Sequence, residues 1–259
     1  MAYPFQLIDT HAHLDAIENV EEVLARAQEG GIRAIVAVGS DRPSNERILE
    51  LAHKFPGYVL PSIGLHPWRL ESGDLEPSFS LIEKEIGRCV ALGEIGLDFA
   101  TAIPRELQNE TLQRLLSIVS REEKPILLHA RRAWEEALHQ LKKFNIKKAV
   151  FHWYSGPPEV LRSLIDEGYY ISATPAAAYS ERHRRAVQQV PLTRLMLETD
   201  APESYRGAVS EPRDLRKTLR AVNALRPENE DQISLQTYCN AVEFFSLNLV
   251  EGAERMKEV

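Results

Sequence analysis

Short runs of Val, Ile, Leu and Ala alternate along the chain with longer segments in which apolar residues return every three to four positions. The short runs, at 5–9, 32–38, 58–66, 89–98, 125–131, 149–155, 169–174 and 194–200, read as strands buried on both faces, because little polar alternation interrupts them. The longer segments, such as 19–30, 105–123 and 133–144, carry the spacing of amphipathic helices. Gly30, Gly31 and Gly168 stand where helices should stop, the position at which a left-handed residue closes the last turn. Eight strand–helix pairs in about 250 residues is the count expected of a TIM-like (β/α)8 barrel. Helical stretches around 212–226 and 230–249 would be additional C-terminal helices. No break in composition divides residues 1–259, so one α/β domain is expected. A doubly wound open sheet also alternates strand and helix, but it would carry a Gly-rich phosphate loop after an early strand. The stretch GSDRPS at 39–44 lacks the glycine spacing and the Lys-Ser/Thr pair.

Composition narrows the function classes. The net charge of −7 argues against a protein that grips nucleic acid through an extended basic surface, though not against an enzyme that holds one phosphate with metal and a few arginines. The two cysteines, Cys89 and Cys239, are far apart in sequence. They form no disulfide framework, which fits a reducing compartment. The N-terminal MAYPFQLIDT has neither a basic leader nor a long apolar run, so a cytoplasmic protein with no membrane partner is expected.

Chemistry enters at the strand ends, where barrel enzymes keep their active sites. His11 and His13 are two residues apart at the first strand, so in extended backbone they project from one face. His66 follows strand three, Glu94 lies in strand four, His129 ends strand five, His152 lies in strand six and Asp200 ends strand eight. His53, His139 and His183 fall in helical segments and read as solvated or partly buried side chains. Singly, the strand-end residues have ordinary readings as ion-pair partners or core histidines. Together, four of these imidazoles (His11, His13, His129 and His152) and two carboxylates crowded at one barrel mouth are costly to bury without a cation. Nitrogen and carboxylate donors suit zinc, manganese or iron, and the oxygen share admits magnesium. Six ligands exceed one tetrahedral ion and suit two ions bridged by a carboxylate.

An ordered set of motifs spans nearly the whole chain: DTHAHLD (9–15), GLHPW (64–68), GEIGLDF (93–99), ILLHARRA (126–133), FHWYSG (151–156), GYYIS (168–172) and LMLETDAP (195–202). The chain thereby resembles the TatD family of metal-dependent deoxyribonucleases, within the amidohydrolase-like barrels. The resemblance implies that His11, His13, Glu94 and Asp200 hold one divalent ion. Glu94, His129 and His152 would hold a second, with Glu94 bridging and the ions being zinc, magnesium or manganese. It implies a 3′–5′ exonuclease-like enzyme whose transient partner is DNA, as a single strand or frayed end, with no obligate protein partner. Many barrel relatives bridge their metals with a carbamylated strand-four lysine; Glu94 at that place favours the TatD group. Departures lie in the loops: no arginine follows strand four until Arg105, Ala130 replaces a usual serine, and Ser210-Glu211-Pro212 stands for Asn-Glu-Pro.

In the implied mechanism two ions about 3.5–4 Å apart clamp a phosphodiester, Glu94 bridges, and Asp200 serves as general base to the attacking water. His66, Arg131 and Trp153 are candidate substrate contacts. Arg131 is expected to reach the substrate only if the chain bends after His129. Trp153 and Tyr154 offer a possible stacking face for a base, and Asp9, Asp98, Asp15 and Glu198 are candidates to orient the ligands. Alternative functions are D-aminoacyl-tRNA deacylation, another ester or amide hydrolysis on the same barrel, or a non-catalytic binding barrel.

Overall fold

The computed structural model describes residues 6–70 and 75–248. Eight parallel strands pair in chain order: β1 Leu7–Ala12, β2 Ile32–Val38, β3 Val59–Ile63, β4 Ala91–Asp98, β5 Ile126–Arg131, β6 Ala149–Phe151, β7 Tyr170–Ala173 and β8 Leu195–Leu197. Helices α1 Val20–Glu29, α2 Arg42–Lys54, α3 Glu76–Glu85, α4 Arg105–Glu122, α5 Trp134–Lys143, α6 Pro158–Asp166 and α7 Glu181–Gln189 fill the crossovers. After β8 come a short hairpin (β9 Ser204–Tyr205, β10 Ala208–Val209), α8 Leu215–Asn223 and α9 Glu230–Phe245. This is the expected TIM-like barrel with extra C-terminal helices, and the final position of the anticipated 230–249 stretch lies outside the described residues. No helix among the described residues is long and apolar enough to cross a membrane.

The helix starts follow local chemistry. Asp41 caps α2 by accepting from Ser44 N at 3.0 Å, while Ser44 Oγ accepts from Asp41 N at 2.9 Å; Asn229 and Gln232 repeat the arrangement at α9. Gly31 and Gly168 close α1 and α6 at φ of 84° and 80°.

Inside the barrel, Ile8, Leu60, Leu127, Val150, Tyr170 and Met196 share an apolar cluster with Tyr238, Phe244 and Phe245 of α9, so α9 plugs the N-terminal end. Two residues along each strand the same face continues. Leu127 is succeeded by His129, Val150 by His152, Tyr170 by Ser172 and Met196 by Glu198. The barrel therefore has an apolar floor and a polar top, and chemistry is confined to the C-terminal end.

The β8–β1 seam closes differently from the other pairs. Ala12 bridges Ala201, Asp200 N donates to His11 O at 2.9 Å, and His13 N donates to Ala201 O at 2.7 Å. Asp9 Oδ1 accepts from Thr199 N at 2.9 Å and Asp9 Oδ2 from Thr199 Oγ1 at 2.5 Å. Asp9 thus ties the seam below the site, and its burial pushes the carboxyl up to about 8 despite the Thr199 and His11 hydrogen bonds.

Candidate metal centre

Several strands end earlier than their apolar runs suggest. β3 stops at Ile63, β6 at Phe151 and β8 at Leu197, so His66, His152 and Asp200 sit beyond the ladders. The backbone turns sharply there: Trp153 has φ 43° and Asp200 φ 53°, left-handed values that non-glycine residues adopt at a cost and that recur at functional sites. Leaving the ladder swings these side chains over the mouth. Gly96 permits a further close approach. At φ 148° its missing Cβ would lie 1.9 Å from His129 O, so β4 passes against β5 and brings Glu94 beside His129.

Glu94 is the centre of the cluster. Its Oε2 lies 3.4 Å from His11 Nε2 and 3.3 Å from His13 Nε2. Its Oε1 lies 2.9 Å from His129 Nδ1, 3.1 Å from His152 Nε2 and 3.3 Å from His66 Nε2. Asp200 Oδ1 completes the first group at 3.5 Å from His11 Nε2 and 3.6 Å from His13 Nε2, and those two nitrogens are 3.4 Å apart. An ion with bonds of about 2.0–2.1 Å in a tetrahedral shell sets its ligand atoms about 3.3–3.4 Å apart. The five separations at His11, His13, Glu94 and Asp200 match that spacing closely, so the donor set fits a divalent ion.

The other ring nitrogens are held from behind. His152 Nδ1 faces Glu198 Oε1 at 3.2 Å, and the same oxygen accepts from Trp153 N at 3.0 Å. His129 Nε2 faces Asp98 Oδ2 at 3.2 Å, and that oxygen also accepts from Trp68 Nε1 at 2.7 Å. An ionised carboxylate only accepts, so each of these nitrogens carries the proton. His129 Nδ1 and His152 Nε2 are left as the metal-facing atoms. His66 differs: its Nδ1 accepts from Trp68 N at 3.2 Å, which places the proton of the neutral ring on Nε2. His66 is therefore a donor toward Glu94 Oε1. His11 Nδ1 is buried without a hydrogen-bond partner.

Protonation follows the crowding. Burial pushes Glu94 up, but the imidazoles of His66, His152 and His11 outweigh it and hold the carboxyl well below its usual range. Burial would lower His13, yet Glu94 and then Asp200 raise it to about 9. His152 is likewise raised by Glu94 and Glu198 against its burial. Burial wins at His66, which falls to about 4, and at Asp200, whose carboxyl is pushed above its usual value. Excess negative charge holds protons on His13 and His152, and a cation would replace them.

Two cavities flank the cluster. One, of about 260 Å³, is lined by His13, Asp15, Ser40, His66, Arg69 and Glu94; the other, of about 420 Å³, by His129, Arg131, His152, Trp153, Ser155 and Ser180. Trp68, Asp200 and Glu203 border both. The expected six ligand residues thus converge, and the residues behind them include Asp98 and Glu198. Arg131 lines the second cavity with His129 and needs no bend: residues two apart on β5 share a face, which corrects the expectation above. Tyr154 offers no stacking face. It is buried, and its hydroxyl donates to Pro157 O at 2.7 Å. His183 is also fully buried, its Nδ1 and Nε2 engaged by Tyr154 O and Thr174 N. Glu211 pairs with Arg26 at 2.8 Å. Trp68 was missed as a candidate, although GLHPW already set it beside His66.

Similarity to known proteins agrees with this geometry. The family model described as TatD related DNase matches residues 8–246. The chain belongs to the TatD family. Human deoxyribonuclease TATDN3 is 31% identical over 213 residues, covering 76% of this chain and 78% of that one. The Escherichia coli protein YjjV, described as an uncharacterized metal-dependent hydrolase, is 30% identical over 257 residues, covering 93% and 98%. The crystal structure of the Escherichia coli TatD homologue YJJV superposes with a TM-score of 0.86 at 28% identity, over 93% of this chain and 98% of that one. This TatD-family chain is a metal-dependent hydrolase.

Proposed function

We propose that the chain is a deoxyribonuclease that hydrolyses phosphodiester bonds at the end of a single or frayed strand, in the 3′–5′ direction, with two divalent ions. His11, His13, Glu94 and Asp200 would hold one ion; Glu94, His129 and His152 would hold the other. Zinc, manganese and magnesium are the candidates, and four imidazoles favour the first two. The observation that carries the reading is the division of Glu94, whose two oxygens each face a separate group of imidazoles. The name of the human relative supports DNA as the substrate, and a mouth flanked by two small cavities suits a strand end better than a long duplex.

When bound, the ions supply Lewis-acid activation of a water and of the phosphoryl oxygens. Asp200, bordering both cavities, orients that water and accepts its proton, a role suited to a carboxyl raised by burial. His66, whose Nε2–H faces Glu94 Oε1 beside the first cavity, would offer that N–H to a phosphoryl oxygen bound there. Arg131, exposed at the rim of the second cavity, meets a neighbouring phosphate, and Trp153 walls the same cavity. Asp98 and Glu198 keep the protons of His129 and His152 on the nitrogens that face away from the ions.

The test is single-turnover cleavage of end-labelled single-stranded DNA by metal-loaded protein, beside Glu94→Gln and Asp200→Asn. A ladder from one end that falls at least about 10³-fold in both variants is the expected result. No cleavage with metals demonstrably bound overturns the reading and moves D-aminoacyl-tRNA and small esters to the front.

A further inference from the structure

Among the described residues the exposed large hydrophobic side chains are Trp68, Val209 and Leu235. Only Trp68 is aromatic, and only it borders the metal centre. The residue is 54% exposed, an unusual place for the largest apolar side chain. Yet it is held from three sides. Nε1 donates to Asp98 Oδ2 at 2.7 Å, the backbone N–H donates to His66 Nδ1 at 3.2 Å, and the ring meets His66 and His129 edgewise at centroid distances of 4.9 and 5.8 Å. Because its one polar atom is already satisfied, its outer surface has only π character to offer. Trp68 stands where the two cavities meet, beside the atoms that face the scissile phosphate.

We propose that Trp68 is a specificity-determining platform on which the base next to the scissile phosphate stacks, so that the substrate must present an unpaired base there. This rests on the phosphodiesterase reading above and deepens it. A base in a duplex is stacked and paired on both sides and cannot lie against a wedge fixed this way, whereas a base in a single strand or frayed end can turn onto it. Trp68 and His129 share Asp98 Oδ2, so the platform and a metal-facing imidazole are set by one carboxylate.

The experiment compares Trp68→Ala, Trp68→Leu and Trp68→Phe with the parent on two metal-dependent substrates, a thymidine trinucleotide and its counterpart in which abasic linkers replace the bases. Trp68→Ala and Trp68→Leu should raise KM for the trinucleotide about tenfold and leave KM for the abasic counterpart unchanged. Trp68→Phe keeps the π face and should restore KM; a drop confined to its kcat would report the lost bond to Asp98. Equal KM changes on both substrates would mean that Trp68 acts only through Asp98, and unchanged KM on both would mean that no base rests on it; either overturns the proposal. Binding of a phosphorothioate trinucleotide carrying 2-aminopurine, followed by quenching of its fluorescence, separates the two levels. Quenching in the parent that is lost in Trp68→Ala supports the platform even if no bond is cleaved, which would sink only the phosphodiesterase reading. Absence of binding overturns both.

Discussion

Replacing Asp98 by Asn isolates the part of the site that touches no ion. Asp98 is fully buried and its carboxylate accepts three hydrogen bonds: Trp68 Nε1–H and His129 Nε2–H on Oδ2, and Ala100 N–H on Oδ1 at 2.8 Å. An amide of the same shape offers one acceptor and one NH2. If its oxygen takes the place of Oδ2, the NH2 faces the donating N–H of Ala100. If it is flipped, the NH2 faces Trp68 and His129, and the imidazole must move its proton to Nδ1, the atom needed for metal. In the first case the Ala100 N–H and the buried amide NH2 face each other without an acceptor, and in the second Trp68 Nε1–H loses its acceptor, at a cost of about 1–3 kcal/mol. In either case His129 loses a negatively charged partner, and metal affinity should fall about 10- to 100-fold, or about 1.4–2.7 kcal/mol. Metal titration by competition with a chromophoric chelator, beside urea unfolding of the metal-free forms, measures both quantities. An affinity for both ions within about twofold of the parent, in a variant whose metal-free stability is also unchanged, would refute the assignment of Asp98 as the residue that fixes His129.

The remaining expectations concern protons, backbone space and charge. Without metal, His13 is raised to about 9 by Glu94 and Asp200 against its burial. Its contribution to stability is therefore complete below the unfolded value near 6.5 and is lost as pH rises through about 9. Metal binding needs the neutral rings, so the gain in Tm on adding zinc or manganese should grow from pH 6 to pH 9. At 100 times the dissociation constant it should reach about 5–10 °C by thermal scanning, and a gain that shrinks as pH rises would count against imidazole ligation. Gly96→Ala should cost at least about 3 kcal/mol in urea unfolding, because the added carbon collides with His129 O and φ 148° is unsuited to alanine. A stability close to the parent's would show that β4 and β5 can separate there. Arg131→Ala should raise KM for oligonucleotides and flatten the salt dependence of binding by about one charge; an unchanged salt slope would place the arginine off the phosphate path.

The alternation of apolar runs and helical spacing carried the eight strands, their order and the C-terminal position of the chemistry, because a barrel buries every strand on both faces and leaves only the strand ends for polar groups. The i, i+2 spacing of His11 and His13, and the strand-end places of His66, His129, His152 and Asp200, were legible for the same reason. What the sequence could not show depends on contacts between distant segments. Early strand ends at Phe151 and Leu197 come from left-handed turns at Trp153 and Asp200, which local apolar content does not record. The burial of His183 follows from the packing of α7 against the loops after β6 and β7. Only the tertiary structure decided that Glu94 divides its two oxygens between two groups of imidazoles, and that Asp98, Trp68 and His129 share one oxygen atom. Such pairings are set by how the strands from β1 to β6 twist past one another around the barrel, a property of the closed sheet and not of any single strand.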